Sequence, residues 1–169
     1  GRSTAAEGAL QRFLCLGLAN YATARRHPEC ENISGLSPDL QYVQISPIRV
    51  ALAVAQADAG GDADRNAFLD ELIVRRELAH NHVLRNSAWD VYGGLPAWAR
   101  ATLASHAADP RPHLYDLKTL EAGATHDPYW NAAMAQARLT GYMHNHLRMY
   151  WGKKILEWSP TPEAVSYTH

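Results

Sequence analysis

Cysteine is nearly absent: the 169 residues hold two, Cys15 and Cys30. With no close pair and no Cys/His spacing of the zinc type, they exclude a disulfide framework and a structural zinc site, and they predict free thiols in a cytosolic protein. An excess of charge of either sign is also missing. Lys and Arg number 16 against 17 Asp and Glu, a formal net charge of −1. That excludes the global basic field of a non-specific nucleic-acid binder, so any contact with DNA has to come from a local patch. No apolar run approaches the roughly 18 residues of a membrane span, and the opening GRSTAAEGAL has no signal-peptide core. The nine histidines are scattered. His80 and His82, and His144 and His146, sit two apart on helical patterns, which points them away from a shared ion, and no metal site is expected.

Alternating strand patterns are lacking too, and what remains is helical. The periodicity predicts helices over about 5–22, 46–58, 63–85, 96–108, 116–122, 127–141 and 143–158. Loops are marked by HPECENISGLSPD, AGGDAD, SAWDVYGGLP and DPRPH. A further helix is expected to begin at Thr161 and Pro162. The fold class is all-α, a helical bundle of one domain over residues 1–169, and the length suits a single core.

The most informative stretch runs from His126 to Trp158, HDPYWNAAMAQARLTGYMHNHLRMYWGKKILEW. Asp127 and Pro128 supply a cap and a first-turn proline for one helix, and the region of Gly141 closes it. In the next, Asn145, Arg148, Trp151, Ile155 and Trp158 follow three- and four-residue steps, which predicts one stripe with a polar end and an aromatic end. A guanidinium buried without a partner costs several kcal/mol, so an anionic or hydrogen-bonding group is expected to meet Arg148. Plain core packing of the tryptophans, with Arg148 paired to a nearby carboxylate, is the alternative reading of the same stripe.

Three other segments hold chemistry. SGLSP, Ser34 to Pro38, offers hydroxyls and turn N–H groups of the kind that cradle phosphate oxygens, although Ser-Pro is also an ordinary turn or helix start. In the amphipathic FLDELIVRRELAH, Glu71 and Arg75 stand four apart, a spacing that predicts a surface pair of about 0.2–0.5 kcal/mol. In YATARRHP, Arg25 follows Tyr21 by four residues, with Arg26 beside it as the only other basic group.

These blocks resemble the photolyase and cryptochrome superfamily, most closely the class II cyclobutane pyrimidine dimer photolyases. SGLSPDLQYVQIS, FLDELIVRREL, THDPYWNAA and GYMHNHLRMYWGKKILEW look like successive family blocks in the family's order, and the likeness runs from about Tyr21 to Glu163. It implies a partial FAD-binding helical domain that lacks the family's N-terminal α/β domain and the C-terminal part of its pocket. It implies a deoxyribodipyrimidine photolyase, a carbon–carbon lyase that repairs UV-damaged DNA by electron transfer from reduced FAD. A flavin photoreceptor of the cryptochrome kind, and a non-catalytic helical remnant that binds no flavin, are the alternatives. The expected setting is a bacterial-type intracellular, cytoplasmic one, away from membranes, with a second chain or the missing segment completing the flavin pocket.

The resemblance also implies roles for single residues. Tyr21, Ser34, Gly35, Leu36, Ser37, Arg75, Asn145 and Arg148 match positions that hold FAD. Arg25, Glu71, Asn145 and Met149 match positions that meet the lesion or its DNA. Trp151 and Trp130 look like the electron-transfer pair, Trp158 is an adjacent tryptophan of that set, and Tyr115 matches a tyrosine that acts as a late donor. Two departures stand out. SPDLQYV replaces the family's frequent SPYLHFG, which puts the far side of that turn in question. Asn145 stands where class II members commonly carry glycine, and MHNHLRM is similar instead to the MHNRLRM of other photolyase classes.

Overall fold

A computed structural model of the chain describes residues 2–30 and 32–165. Among the described residues there is no strand, and the chain divides into two compact units, Gly1–Asn81 and His82–His169. Where length alone predicts one core, the buried apolar side chains gather into two clusters, one in each unit.

The first unit opens with α1 (Arg2–Arg12), which continues into a π-helical turn, Phe13–Gly17. The predicted helix over 5–22 does not run through. It breaks after this turn, Asn20 enters the left-handed region at φ 63°, and a short α2 (Tyr21–Ala24) starts afresh. Asparagine tolerates that backbone better than most residues. The N–H groups freed at the break find a partner far along the chain: the Asp64 carboxylate accepts from Asn20 at 3.1 Å and from Ala22 at 2.9 Å. Asp64 also accepts from the Gly61 N–H at 3.2 Å, the N3-to-N-cap half of a capping box, so one side chain starts two helices.

The segment read as loop contains a five-residue helix, α3 (Ser37–Gln41). It ends in a Schellman motif, with Gln44 N–H donating to the Asp39 carbonyl at 2.7 Å and Val43 N–H to the Leu40 carbonyl at 3.5 Å. The residue at the left-handed position is Val43, at φ 55°. α4 (Pro47–Ala55) follows, with the Ser46 hydroxyl accepting from Arg49 N–H and Pro47 at the first position. Then come α5 (Asp62–Leu69), a π turn (Asp70–Arg75) and α6 (Arg76–Arg85), within which the first unit ends. The core of this unit is built from Leu10, Phe13, Leu18, Leu36, Val50, Val54 and their neighbours, with Phe13, Tyr21 and Phe68 packed ring against ring at centroid distances of 4.7–5.6 Å.

The second unit holds a 3-10 turn (Tyr92–Gly94), α7 (Ala97–Ser105), α8 (Leu117–Ala122), α9 (Pro128–Thr140), α10 (Asn145–Trp158) and α11 (Pro162–Val165). α9 begins and ends as its residues dictate. Asp127 accepts from the Tyr129 and Trp130 N–H groups, and Gly141 closes the helix at φ 69°. The Tyr150 hydroxyl donates to the other Asp127 oxygen, tying α10 to the head of α9. This pair pushes the Tyr150 phenol up to about 12, by burial first and by the Asp127 carboxylate second. The last turn of α10 is capped by Arg111, whose Nη1 donates to the carbonyls of Leu156 and Glu157 at 2.6 and 3.2 Å. α11 starts where Thr161 and Pro162 predict it.

Large apolar side chains stand exposed in both units, among them Tyr42, Ile48, Trp98 and Leu139. No helix among the described residues is long and apolar enough to cross a membrane.

Candidate functional site

In the first unit, three of the predicted site residues meet. The π turn adds one residue to a helical turn, and this changes which side chains face each other. Arg75 therefore pairs with Asp70, five residues before it, at 3.3 Å, rather than with Glu71 as the four-residue spacing predicts. Glu71 instead bonds Arg25 Nη1 at 2.8 Å, and the Arg25 guanidinium lies 5.7 Å from the centre of the Tyr21 ring. Tyr21 is buried and its phenol is raised above its usual value, by burial first, with Arg25 pulling it down. Arg25 is itself held above its ordinary value: burial lowers it, and the Glu71 and Tyr21 oxygens outweigh that. The pair is only partly shielded from water, with side-chain exposures of 29% and 42%.

SGLSP forms the entry to α3. Gly35 adopts φ 66°, stands exposed, and has no heavy atom within 4 Å of where a Cβ would be. Leu36 is the apolar member of this turn. Its side chain is fully buried in the core, and its N–H donates to the Ser34 hydroxyl at 3.3 Å. Leu36 thus anchors the turn, while Ser34, Gly35 and Ser37 present its polar side.

The second unit brings the four predicted aromatic donors into one continuous series. The Trp151 and Trp130 ring centres are 5.3 Å apart, Trp130 and Trp158 5.3 Å, and Trp158 and Tyr115 5.4 Å. Trp130 and Trp158 are fully buried, and Trp151 and Tyr115 at the two ends are half-buried. The Trp130 indole N–H donates to the Leu120 carbonyl at 3.1 Å, whereas those of Trp151 and Trp158 are buried with no partner among the described residues. Tyr115 is held by its backbone, whose N–H donates to the Trp158 carbonyl at 3.2 Å. The tryptophans are therefore both the core of this unit and a path of ring contacts through it.

The polar end of the predicted stripe separates from the aromatic end. Ile155 and Trp158 are buried and Trp151 half-buried, but Asn145, Arg148 and Met149 are exposed. Each three-residue step falls about 60° short of a full turn. Two such steps in succession carry Arg148, and Asn145 further, round the helix and off the buried face. No carboxylate among the described residues lies within ion-pair distance of Arg148. Its charge bears on Tyr142, whose phenol is raised by burial and lowered in part by Arg148. His144 caps α10 by accepting the His146 N–H.

Sequence reasoning missed two residues of consequence. Asp64 is signalled by its place three residues after Gly61, the spacing of a capping box. His126, whose Nδ1 lies 2.7 Å from the Tyr115 hydroxyl, has no such signal, since the two are eleven residues apart in irregular segments.

No family model matches the chain. In sequence it is 44% identical over 162 residues to the deoxyribodipyrimidine photo-lyase of Methanothermobacter thermautotrophicus, covering 96% of this chain and 35% of that one. It is 44% identical over 156 residues to the deoxyribodipyrimidine photo-lyase of Potorous tridactylus, covering 92% and 29%. To the enzyme of the same name from Salmonella typhimurium it is 30% identical over 142 residues, covering 83% and 28%. In structure it matches a bacterial class III photolyase from Agrobacterium tumefaciens with a TM-score of 0.73 over 98% of this chain and 36% of that one. At 22% identity, that likeness is one of fold. The chain thus spans about a third of the length of the relatives it matches. By sequence over more than nine tenths of its own length, and by fold, it belongs to the photolyase family.

Proposed function

We propose that this chain carries the FAD-binding helical part of a class II photolyase that splits cyclobutane pyrimidine dimers in UV-damaged DNA under light. The single observation that supports it most is the unbroken series Trp151, Trp130, Trp158, Tyr115, with every neighbouring pair of rings 5.3–5.4 Å apart. Close contact of oxidisable rings is what short electron hops require, and a core needs no such order.

The donor set of the first unit suits a diphosphate. Ser34 and Ser37 offer hydroxyls, Gly35 leaves the main chain open to close approach, and Leu36 holds the turn in place from the core. Arg75, two-thirds exposed, supplies a cation for phosphate, and Tyr21 supplies a ring and hydroxyl. In the second unit, Asn145 and Arg148 stand exposed at the head of α10 and are assigned to the flavin ring, where a cation favours its reduced anionic form. When bound, the flavin supplies the light absorption and the electron that opens the cyclobutane ring.

The chain's own residues do the rest. Arg25 takes a DNA phosphate and gives up its pairing with Glu71, which frees that carboxylate to accept a hydrogen bond from a pyrimidine of the extruded dimer. In the second unit, Asn145 and Met149, both exposed, are assigned to the lesion by the resemblance alone. The tryptophans pass an electron inward from the protein surface.

Incubation of the purified chain with FAD, an external reductant and a dimer-containing oligonucleotide under blue light is the test. The expected result is light-dependent restoration of the pyrimidines, lost in Glu71→Gln by roughly tenfold or more, as for removal of one charged contact to the lesion. Bound, photoreducible flavin without repair would establish a photoreceptor instead, and failure to take up FAD would leave a helical interaction module.

A further inference from the structure

The aromatic series does not stop at Tyr115. The Tyr115 hydroxyl makes two bonds, both to His126. The oxygen accepts the His126 backbone N–H at 3.1 Å and lies 2.7 Å from His126 Nδ1. In the Nε2–H tautomer of His126, Nδ1 is the acceptor and the Tyr115 hydroxyl is the donor across this 2.7 Å contact. The His126 ring also stacks on His113 with centroids 3.8 Å apart, and meets the edge of Trp158 at 5.5 Å.

Both flanks of His126 are clamped. Thr125 shares three bonds with Asn131, its N–H and hydroxyl each donating to Oδ1 at 3.0 Å and its carbonyl accepting from Nδ2 at 2.8 Å, while Asp127 caps α9. Neither clamp depends on the imidazole, and the ring is exposed to water. Lys154, paired with Glu157 at 2.8 Å, holds its ammonium 5.3 Å over the Trp158 ring. A positive charge is therefore poorly accommodated on that indole.

We propose that His126 is the proton acceptor that makes Tyr115 the terminal electron donor of the tryptophan series. This rests on the electron-carrying role given above to those rings. A phenol loses an electron readily only if its proton leaves with it, because the phenol radical cation is a very strong acid. In the step, one-electron-oxidised Trp158 takes an electron from Tyr115, the O–H bond breaks, and the proton forms an N–H bond at His126 Nδ1. Neutral Trp158, a neutral tyrosyl radical and an imidazolium result, so the single positive charge moves from the indole to an exposed ring. The oxidant is any one-electron oxidant of the tryptophan series, a photoexcited flavin included. From His126 the proton reaches solvent, and charge recombination through Trp158 is slowed.

Pulse radiolysis tests this without flavin. Azide radicals oxidise tryptophan, and the broad tryptophanyl absorption decays as the narrow tyrosyl band rises. In a Trp89→Phe/Trp98→Phe chain, whose remaining tryptophans are the three of the series, the expected result is tyrosyl formation that Tyr115→Phe abolishes and that slows in heavy water. His126→Gln, which keeps a hydrogen-bond acceptor but cannot take a proton, should slow it by roughly 100-fold, the usual worth of a positioned base. Added imidazole should restore part of the rate, which a fold defect would not allow. Tyrosyl formation unchanged in His126→Gln, slowed there but not rescued by imidazole, or absent in the parent would each overturn the proposal. Because no flavin takes part, a chain that fails to bind FAD still gives a clear answer, and the two readings fail separately.

Discussion

At the scale of single residues, Val43 carries a visible backbone cost. A β-branched residue in the left-handed region clashes with its own carbonyl and costs on the order of 1–2 kcal/mol. The Schellman motif at the end of α3 nevertheless requires that backbone, and in the similar family pattern SPYLHFG a glycine stands at this place. Val43 is 83% exposed, so its side chain contributes almost no packing to offset the strain. Val43→Gly should therefore raise the unfolding free energy by about 1 kcal/mol, measured by urea denaturation. An unchanged or lower midpoint would show that the turn is not strained. The same residue shows where reading the sequence stops. SPDLQYV can be seen to differ from SPYLHFG, but only the dihedral angle turns the difference into a cost. His126 is a second case, invisible in sequence because its partner lies across two irregular segments.

At the scale of elements, caps and periodicity made most helices legible, and the π turns did not. Ser46-Pro47 and Asp127-Pro128 announce α4 and α9, and Gly141 announces the end of α9, because these residues act through bonds to their own neighbours. A π turn inserts one residue without altering the apolar pattern enough to notice, so Glu71 was expected opposite Arg75 and is found on Arg25. The break before α2 was illegible for a different reason: its N–H groups are satisfied by Asp64, more than forty residues later. That carboxylate sits below its ordinary value, chiefly through the Ala22 N–H. A carboxylate lowered in the folded state stabilises the fold above its unfolded value, about 3.9, and loses that contribution as pH falls through the lower folded value. Acidification below about pH 4 should therefore destabilise the parent more than Asp64→Asn, whose thermal midpoint is already lower at neutral pH. Parallel pH profiles for the two chains would remove Asp64 from the account. Because α2 carries Tyr21 and precedes Arg25, the same substitution should loosen the Tyr21–Arg25–Glu71 group.

At the scale of the whole molecule, the all-α architecture was written plainly in the missing strand patterns, and the family blocks in the right order placed nearly the whole chain. The division into two units was not legible, since apolar positions recur evenly along the chain and do not say which of them meet. The first unit holds the polar groups suited to phosphate and DNA, and the second the aromatic series suited to electron movement. What matters most is whether the chain binds a flavin to which the aromatic series of the second unit passes electrons. The most direct measurement is the absorption spectrum of the purified chain with added FAD, followed under blue light with an external reductant. Expected is a structured, protein-bound flavin spectrum that bleaches on illumination, with a rate lowered roughly tenfold or more, about 1.4 kcal/mol in barrier, by Trp151→Phe. A spectrum of free FAD, or photoreduction equally fast in Trp151→Phe, would contradict it.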